Sequence, residues 1–325
     1  MAIGSTSRPN QRGAISLYNR LKPGDWTFTT LTGLAGVLVI LVIIGVFIEL
    51  TEAAWPAIKA NGVSVLWDTD WNPSAGSFGV GVFIIGTMTT SIVALVCATV
   101  IAVLVSLFLV EVAPSYVARP VSYLVELLAA IPSVVYGLWG IFVMGVFIRD
   151  RLGPTIVTYF DWLPFVGGPP LITSLFSACI ILTIMILPTV MAVSRDVIAA
   201  VPRSQREGVL ALGATRWEMI TMTVLPYARS GILGAAILGL ARAVGETLAV
   251  TLVIGNSVKI PENIFSPAYT LASVIANQFP EATSLHRAAL IEVALILLMI
   301  TFVINVIARL LVWKVTGGRR VVVQE

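Results

Sequence analysis

Arg242 and Glu246 stand four residues apart within otherwise apolar sequence, and Glu126 and Glu292 interrupt two further apolar stretches. An ionisable side chain at bilayer depth is unfavourable by about 3 kcal/mol even on the mildest scales, so all four are candidates for function. On one continuous helix the four-residue spacing puts Arg242 and Glu246 on the same face. A guanidinium is permanently charged and presents a planar fork of N–H donors that matches the oxygens of an oxyanion. Glu246, on the same face, could hold Arg242 so that no bare charge is left buried. The same two residues also suit a structural ion pair that fixes helix register. Glu126 and Glu292 lie near the ends of their stretches, where a carboxylate can reach the interface or a basic neighbour. Anchoring therefore competes with a transport role at both.

The elements that must position these groups follow from composition. The 325-residue chain is 58% hydrophobic and only 11% charged, far from the usual balance of soluble domains, so its solvent is a bilayer. Crossing about 30 Å of hydrocarbon takes about 20 apolar residues. Six runs qualify: 31–50, 82–110, 121–148, 171–194, 231–254 and 288–312. The expected fold is an all-α polytopic membrane protein with six transmembrane helices. The second and third runs exceed what an upright helix needs, so each tilts or begins as a helix outside the membrane. The first run is too long for a cleaved signal and lacks a small-x-small site after it, so it is expected to be retained. Ala235, Gly239 and Ala243 form a stripe of small residues suited to close helix packing. Arg242 and Glu246 lie seven residues beyond Ala235 and Gly239, so both charges should face the bundle.

Orientation follows from Lys and Arg, which gather on the cytoplasmic side. Arg8, Arg12, Arg20 and Lys22 precede the first run, and Arg119 falls between the second and third. Arg195, Arg203, Arg206, Arg216 and Arg229 lie between the fourth and fifth, and Arg309, Lys314, Arg319 and Arg320 close the chain. The opposite loops carry few basic residues, so both termini are expected to be cytoplasmic. The chain then divides into an N-terminal arm (1–26), a transmembrane domain (27–315) containing a long inner loop (195–229), and a tail (316–325). Trp55, Trp67 and Trp71 suggest that 52–79 rests on the outer headgroups. The Gly and Pro residues of 149–170 suggest irregular structure with a short interfacial helix.

Several function classes drop out. The formal net charge of +3 comes from residues that flank membrane runs instead of lining one soluble face, which argues against nucleic acid. Cys97 and Cys179 sit in apolar runs as small hydrophobes. His286 is the only histidine and has no ligand-spaced partners, so no metal site is expected. No G-x-x-x-x-G-K-[ST] loop is present, and no nucleophile, base and metal set appears at useful spacing. Neither ATP hydrolysis nor other covalent chemistry is expected of this chain.

The inner loop is too long for a simple turn and keeps helical patterning. Val209, Leu210, Leu212, Trp217, Met219 and Ile220 are interleaved with Arg206, Glu207, Arg216 and Glu218. Gly213 permits a positive φ, and Pro226 marks the entrance to the next helix. By pattern alone the loop either lies on the inner leaflet or docks to a cytoplasmic partner.

Glu207, then Gly213, then Leu225 with Pro226 resemble the EAA loop of binding-protein-dependent ABC importer permeases. Gly208 and Val209 stand for the two alanines of that motif and Thr223 for its isoleucine. The resemblance implies the type I, MetI-like permease fold and a coupling helix seated in a groove of an ATPase subunit. Residues 126–133 (ELLAAIPS) with 136–140 (YGLWG), 194–197 (SRDV) and 241–247 (ARAVGET) are similar to phosphate permeases. The continuation 247–251 (TLAVT) resembles the PstC branch. That family implies a PstA-like second permease, two PstB-like ATPases holding ATP and Mg, and a PstS-like phosphate-binding protein outside a bacterial cytoplasmic membrane. It also associates Arg242 and Glu246 with translocation. Two other transport readings remain: an ABC permease for sulfate or molybdate, and a proton-coupled secondary transporter working through Glu246 or Glu292. The EAA-like loop argues against the latter.

Overall fold

The computed structural model describes residues 23–316. Arg8, Arg12, Arg20, Lys22, Arg319 and Arg320, with most of the expected arm and tail, lie outside the described residues. Six helical stretches among the described residues are long and apolar enough to cross a membrane. The described residues fall into two compact units, divided after Glu52.

Helix α1 (Pro23–Asn61) is longer than the 31–50 run; a proline is tolerated at its start because the N–H that it lacks would have no partner within the helix there anyway. From Trp26 to Glu49 every side chain is exposed, which hydrocarbon tolerates and water would not. In the second unit Ala54 and Ala57 are fully buried, so the end of α1 continues as a packed helix beyond the apolar run.

A two-stranded antiparallel hairpin follows, β1 (Trp71–Asn72) and β2 (Ser77–Phe78), with Trp71 opposite Phe78. Trp55 and Trp67 are exposed, but Trp71 is buried, against the expectation of three interface anchors. Its ring meets Phe83 edge-on at 5.0 Å and its indole N–H donates to Gln278 Oε1 at 3.0 Å. A partner for that N–H is what allows an indole to enter a core. His286 stacks on Phe78 in the same cluster, with ring centroids 6.0 Å apart.

The bundle comprises α2 (Gly81–Leu107), α3 (Ser115–Ala129), α4 (Ser133–Trp139), α5 (Gly153–Phe160), α6 (Leu175–Ala199), α7 (Arg203–Ala211), α8 (Arg216–Met219), α9 (Leu225–Gly245), α10 (Leu248–Val253), α11 (Leu271–Gln278) and α12 (Ser284–Thr316). Two expected spans are corrected. The run 121–148 is two elements, because Pro132 lacks an N–H and drives the preceding residue out of helical geometry. Pro132 itself is extended, with ψ 139°, and caps α4. Helix α3 buries no side chain, and the membrane helix proper runs Ser133–Phe160 through two π-turns. It thereby takes up the first part of 149–170, expected as irregular. The run 231–254 also breaks: α9 ends at Gly245, Glu246 turns extended at ψ 122°, and α10 restarts at Leu248.

The core lies where α2, α6 and α9 meet. Ala94, Ala98 and Ala102 of α2 and Ile181, Met185 and Ile186 of α6 are buried to 1% exposure or less. The Ala235, Gly239, Ala243 stripe of α9 is buried as expected. A Cβ on Gly239 would stand 2.6 Å from Val190 Cγ2, so α9 approaches α6 as closely as two backbones with one valine between them allow. Lipid is as apolar as leucine, so this close packing and a few interhelical hydrogen bonds hold the bundle. One such bond runs from Ser106 Oγ to the Met191 carbonyl at 3.0 Å.

Candidate translocation site and coupling loop

Arg242 occupies the last turn of α9, half-buried, beside the small-residue stripe that seats this helix on α6. Its Nη1 donates to Thr189 Oγ1 at 3.1 Å. Thr189 sits just past the midpoint of α6, so the guanidinium lies against the middle of that helix. Tyr136 of α4 lies within electrostatic reach of the same charge, its hydroxyl donating to the Leu128 carbonyl at 2.8 Å. The sequence reading missed both Thr189 and Tyr136. A polar residue directly after Pro188 in an apolar helix was the available signal for the first.

The expected pairing of Arg242 with Glu246 is corrected. It required one continuous helix, and Glu246 is the residue at which α9 stops. Its Oε1 instead accepts from the Ala249 N–H at 3.1 Å, satisfying a donor in the first turn of α10. Among the described residues no ion pair joins Arg242 to a carboxylate. The guanidinium therefore keeps most of its N–H donors for another acceptor. Glu246 remains half-buried and close in sequence, and fixes the bend that follows the arginine.

The other two intramembrane candidates have structural partners. Glu126 lies on α3, outside the third span, and meets Arg195 Nη1 at 3.3 Å. Arg195 also holds Asp196 at 3.1 Å. Glu126 and Arg195 line a cavity of about 340 Å³ with Arg119 and Tyr123. Glu292 is only 4% exposed and accepts from Asn61 Nδ2 at 3.2 Å, tying α12 to the end of α1.

The inner loop is folded. Helix α7 carries Glu207, which is exposed, and stops at a left-handed Gly213 with φ +90°. A Cβ there would meet nothing within 4 Å, so the backbone angle and not space demands glycine. Thr215 then opens α8 with a capping box: its Oγ1 accepts from the Glu218 N–H at 3.3 Å, and Glu218 Oε2 from the Thr215 N–H at 2.7 Å. A π-turn (Ile220–Val224) leads into Leu225 and Pro226 at the head of α9. It falls where the proline removes one N–H and its ring crowds the carbonyl four residues back. Met219, Ile220, Val224 and half-buried Leu225 pack with Ile198 and Val201. Leu212 and Trp217 stay 89% and 70% exposed, an apolar face directed away from the bundle.

A second contact ties the loop down. Arg206 of α7 meets Glu111, in the π-turn that ends α2, at 3.0 Å. Neither residue was singled out from the sequence as a pair.

Comparison with known proteins identifies the architecture. Residues 98–317 match the family model of the binding-protein-dependent transport system inner membrane component. The chain is 41% identical over 292 residues to a phosphate transport system permease protein PstC of Pasteurella multocida, covering 89% of this chain and 91% of that one. A PstC of Haemophilus influenzae is 40% identical over 88% of this chain and 92% of its own length. Among solved structures, the inward-facing MetNI methionine ABC transporter gives a TM-score of 0.56 at 19% identity, over 73% of this chain and 97% of that chain. A bacterial alginate ABC transporter bound to its periplasmic protein gives 0.58 at 16% identity, over 87% and 93%. These two establish the MetI-like ABC importer permease fold alone. With the sequence matches, they mean that this chain belongs to the binding-protein-dependent transport permeases and, within them, to the PstC family.

Proposed function

We propose that the chain is one of two permease subunits of an ATP-driven importer that carries inorganic phosphate across the bacterial cytoplasmic membrane. The observation that carries this reading is Arg242, a permanent cation against the middle of α6 with a hydroxyl as partner and, among the described residues, no carboxylate paired to it, in a chain whose relatives are phosphate transport permeases. An anion leaving water needs compensating charge and donors, and a guanidinium fork supplies both. Phosphate oxygens would displace the Thr189 hydroxyl and yield to it again on release, so the cargo is passed on and not trapped. Glu246 Oε2 has no partner among the described residues. It is an acceptor suited to the proton of hydrogen phosphate, which sulfate at neutral pH lacks.

The assembly that fits is a PstA-like second permease completing the pathway, two PstB-like ATPases holding ATP and Mg below, and a PstS-like binding protein delivering phosphate outside. Glu207, Gly213, Leu225 and Pro226 belong to the ATPase-coupling loop, with Leu212 and Trp217 as its apolar face. Both termini lie in the cytoplasm on this reading. A single cysteine at Ser74 should then react with a membrane-impermeant maleimide from outside, and protection from it would reverse the topology.

The deciding experiment is co-reconstitution with the three partner subunits in liposomes, measuring uptake of phosphate and of sulfate with and without internal ATP. Phosphate uptake that needs ATP and excludes sulfate is expected. Equal uptake of both anions would remove the substrate assignment. Uptake driven by a proton gradient without ATP would replace the mechanism with secondary transport.

A further inference from the structure

Helix α7 is nine residues long, buries none of them, and yet is the element that must move the membrane helices if the loop is where the ATPase pushes. Its purchase on the bundle is narrow. Only Arg206 and Val209 are half-buried and the rest are exposed, and Val209 joins the apolar cluster of Ile198, Val201 and Met219 at its edge. Arg206 does more. Its Nη2 donates to the Ile198 carbonyl at 2.7 Å, in the last turn of α6, and stands 3.0 Å from Glu111 Oε1 in the π-turn that ends α2. The two side chains are 17% and 7% exposed, so the pair is largely desolvated. One nitrogen thus binds α7 to the ends of two membrane helices.

The geometry favours a joint over a clamp. The aligned hydrogen bond of Nη2 goes to Ile198, so the carboxylate is met off-line, and Glu111 Oε1 and Arg206 Nε have no hydrogen-bond partner. A pair selected for static stability would saturate these groups, since each unsatisfied buried polar atom is unfavourable. Breaking a desolvated pair by removing one member leaves a bare buried charge, so the joint resists coming apart under load.

We infer that Arg206 and Glu111 form the joint through which displacement of the coupling helix reaches α2 and α6, and hence that both are positioning residues for transport. The inference rests on the ATPase-coupling reading of the loop. In the reconstituted four-subunit complex, ATP hydrolysed per phosphate imported is measured with loaded binding protein, alongside co-purification of the ATPase. Arg206→Gln and Glu111→Gln should leave the complex assembled and raise that ratio roughly threefold to thirtyfold, the span of mutations that weaken a coupling path. The double variant should be no worse than either single one, because both remove the same contact. Wild-type ratios in the single variants, or additive effects in the double, overturn the joint. Gly213→Trp is the control: if it uncouples while Arg206→Gln does not, only the joint falls; if neither uncouples, the coupling reading falls with it. Should Arg206→Gln fail to assemble, Arg206→Lys decides. Its ammonium keeps the charge on a shorter, flexible stem that can meet one of the two acceptors but not hold both from the Nη2 position; an intermediate ratio supports the joint, whereas a wild-type ratio shows that the two-way contact is not needed and overturns it.

Discussion

The surroundings of Arg242 and the loop around Gly213 are built by opposite means. Arg242 sits among apolar helices seated by small residues, with one hydroxyl as its side-chain hydrogen-bond partner. The loop is exposed and held by local devices: a left-handed glycine, a capping box, a π-turn before a proline, and one ion pair to the bundle. A pathway for an anion gains from sparse, exchangeable polar contacts, because a saturated site would compete with the cargo. A lever gains from fixed local geometry, because slack dissipates movement. Mutations should therefore fail differently in the two regions, by loss of uptake in one and by loss of coupling in the other.

The largest effect is expected at the bundle site. Arg242→Gln should lower phosphate uptake by roughly a hundredfold or more, matching the loss of about 3 kcal/mol when one partner of a desolvated charge contact is removed. Assembly and basal ATP hydrolysis should persist, as measured on the purified complex. If the variant instead fails only because the subunits no longer assemble, the arginine is a structural group and the contrast between the regions disappears.

Next comes the loop. Gly213→Trp forces a bulky L-residue into φ +90°, unfavourable by at least about 1–2 kcal/mol, and places an indole on the apolar face that Leu212 and Trp217 present. Uptake should fall about tenfold while ATP hydrolysis continues, a ratio set by coupling energies of this size. Gly213→Asn, which tolerates left-handed geometry better, should keep most of the coupling. Equal damage from Asn and Trp would mean that neither backbone angle nor surface shape is what the position supplies.

A smaller change is expected from Thr189→Val, which removes the hydroxyl and keeps the volume. The guanidinium then loses its resting partner, a hydrogen bond to a charged group contributing about 1.5–3 kcal/mol. Phosphate would no longer have to displace that partner, so release should slow. Maximal uptake should drop severalfold with an unchanged or lower half-saturating concentration of loaded binding protein. Thr189→Ser should restore it, and a serine variant as impaired as the valine one would show that the methyl group is what matters.

What the sequence disclosed divides along the same line. The six apolar runs each overlap one of six helices long enough to cross, with the third displaced and the fifth cut short, because hydrocarbon leaves the backbone no alternative over that length. That the inner loop is folded was legible for a related reason, since the left-handed Gly213 and Pro226 at the head of α9 are local backbone signals. Pro132 was misread because the apolar residues around it continue unbroken, although its missing N–H is a local signal. At Arg242 the reading failed where one helix was extended through Gly245, Glu246 and Thr247. Apolar content on both sides hid a stop and a cap. Thr189, 53 residues away in sequence from Arg242, and Glu111, brought to Arg206 only by folding, are tertiary neighbours that no periodicity encodes.

Glu246→Gln carries the smallest expected change in rate and the sharpest one in selectivity. Glutamine retains an oxygen that can accept from the Ala249 N–H, so α10 should keep its start and the bend after Arg242 should survive. Phosphate uptake should therefore fall only about twofold, the range of a weakened neutral hydrogen bond in place of a charged one. The lost negative charge matters more for the competitor. A carboxylate beside the path repels a fully deprotonated dianion and accepts the proton of hydrogen phosphate. An amide repels neither anion, and its N–H group can donate to sulfate. Competition of sulfate with labelled phosphate should therefore strengthen in Glu246→Gln and stay at wild-type level in Glu126→Gln, where the carboxylate faces Arg195 on α3. To bypass the binding protein's own selectivity, both anions are offered by efflux from preloaded liposomes containing a variant ATPase that hydrolyses without it. If sulfate remains excluded under those conditions, Glu246 acts only as the cap of α10, and discrimination between the anions belongs wholly to the binding protein.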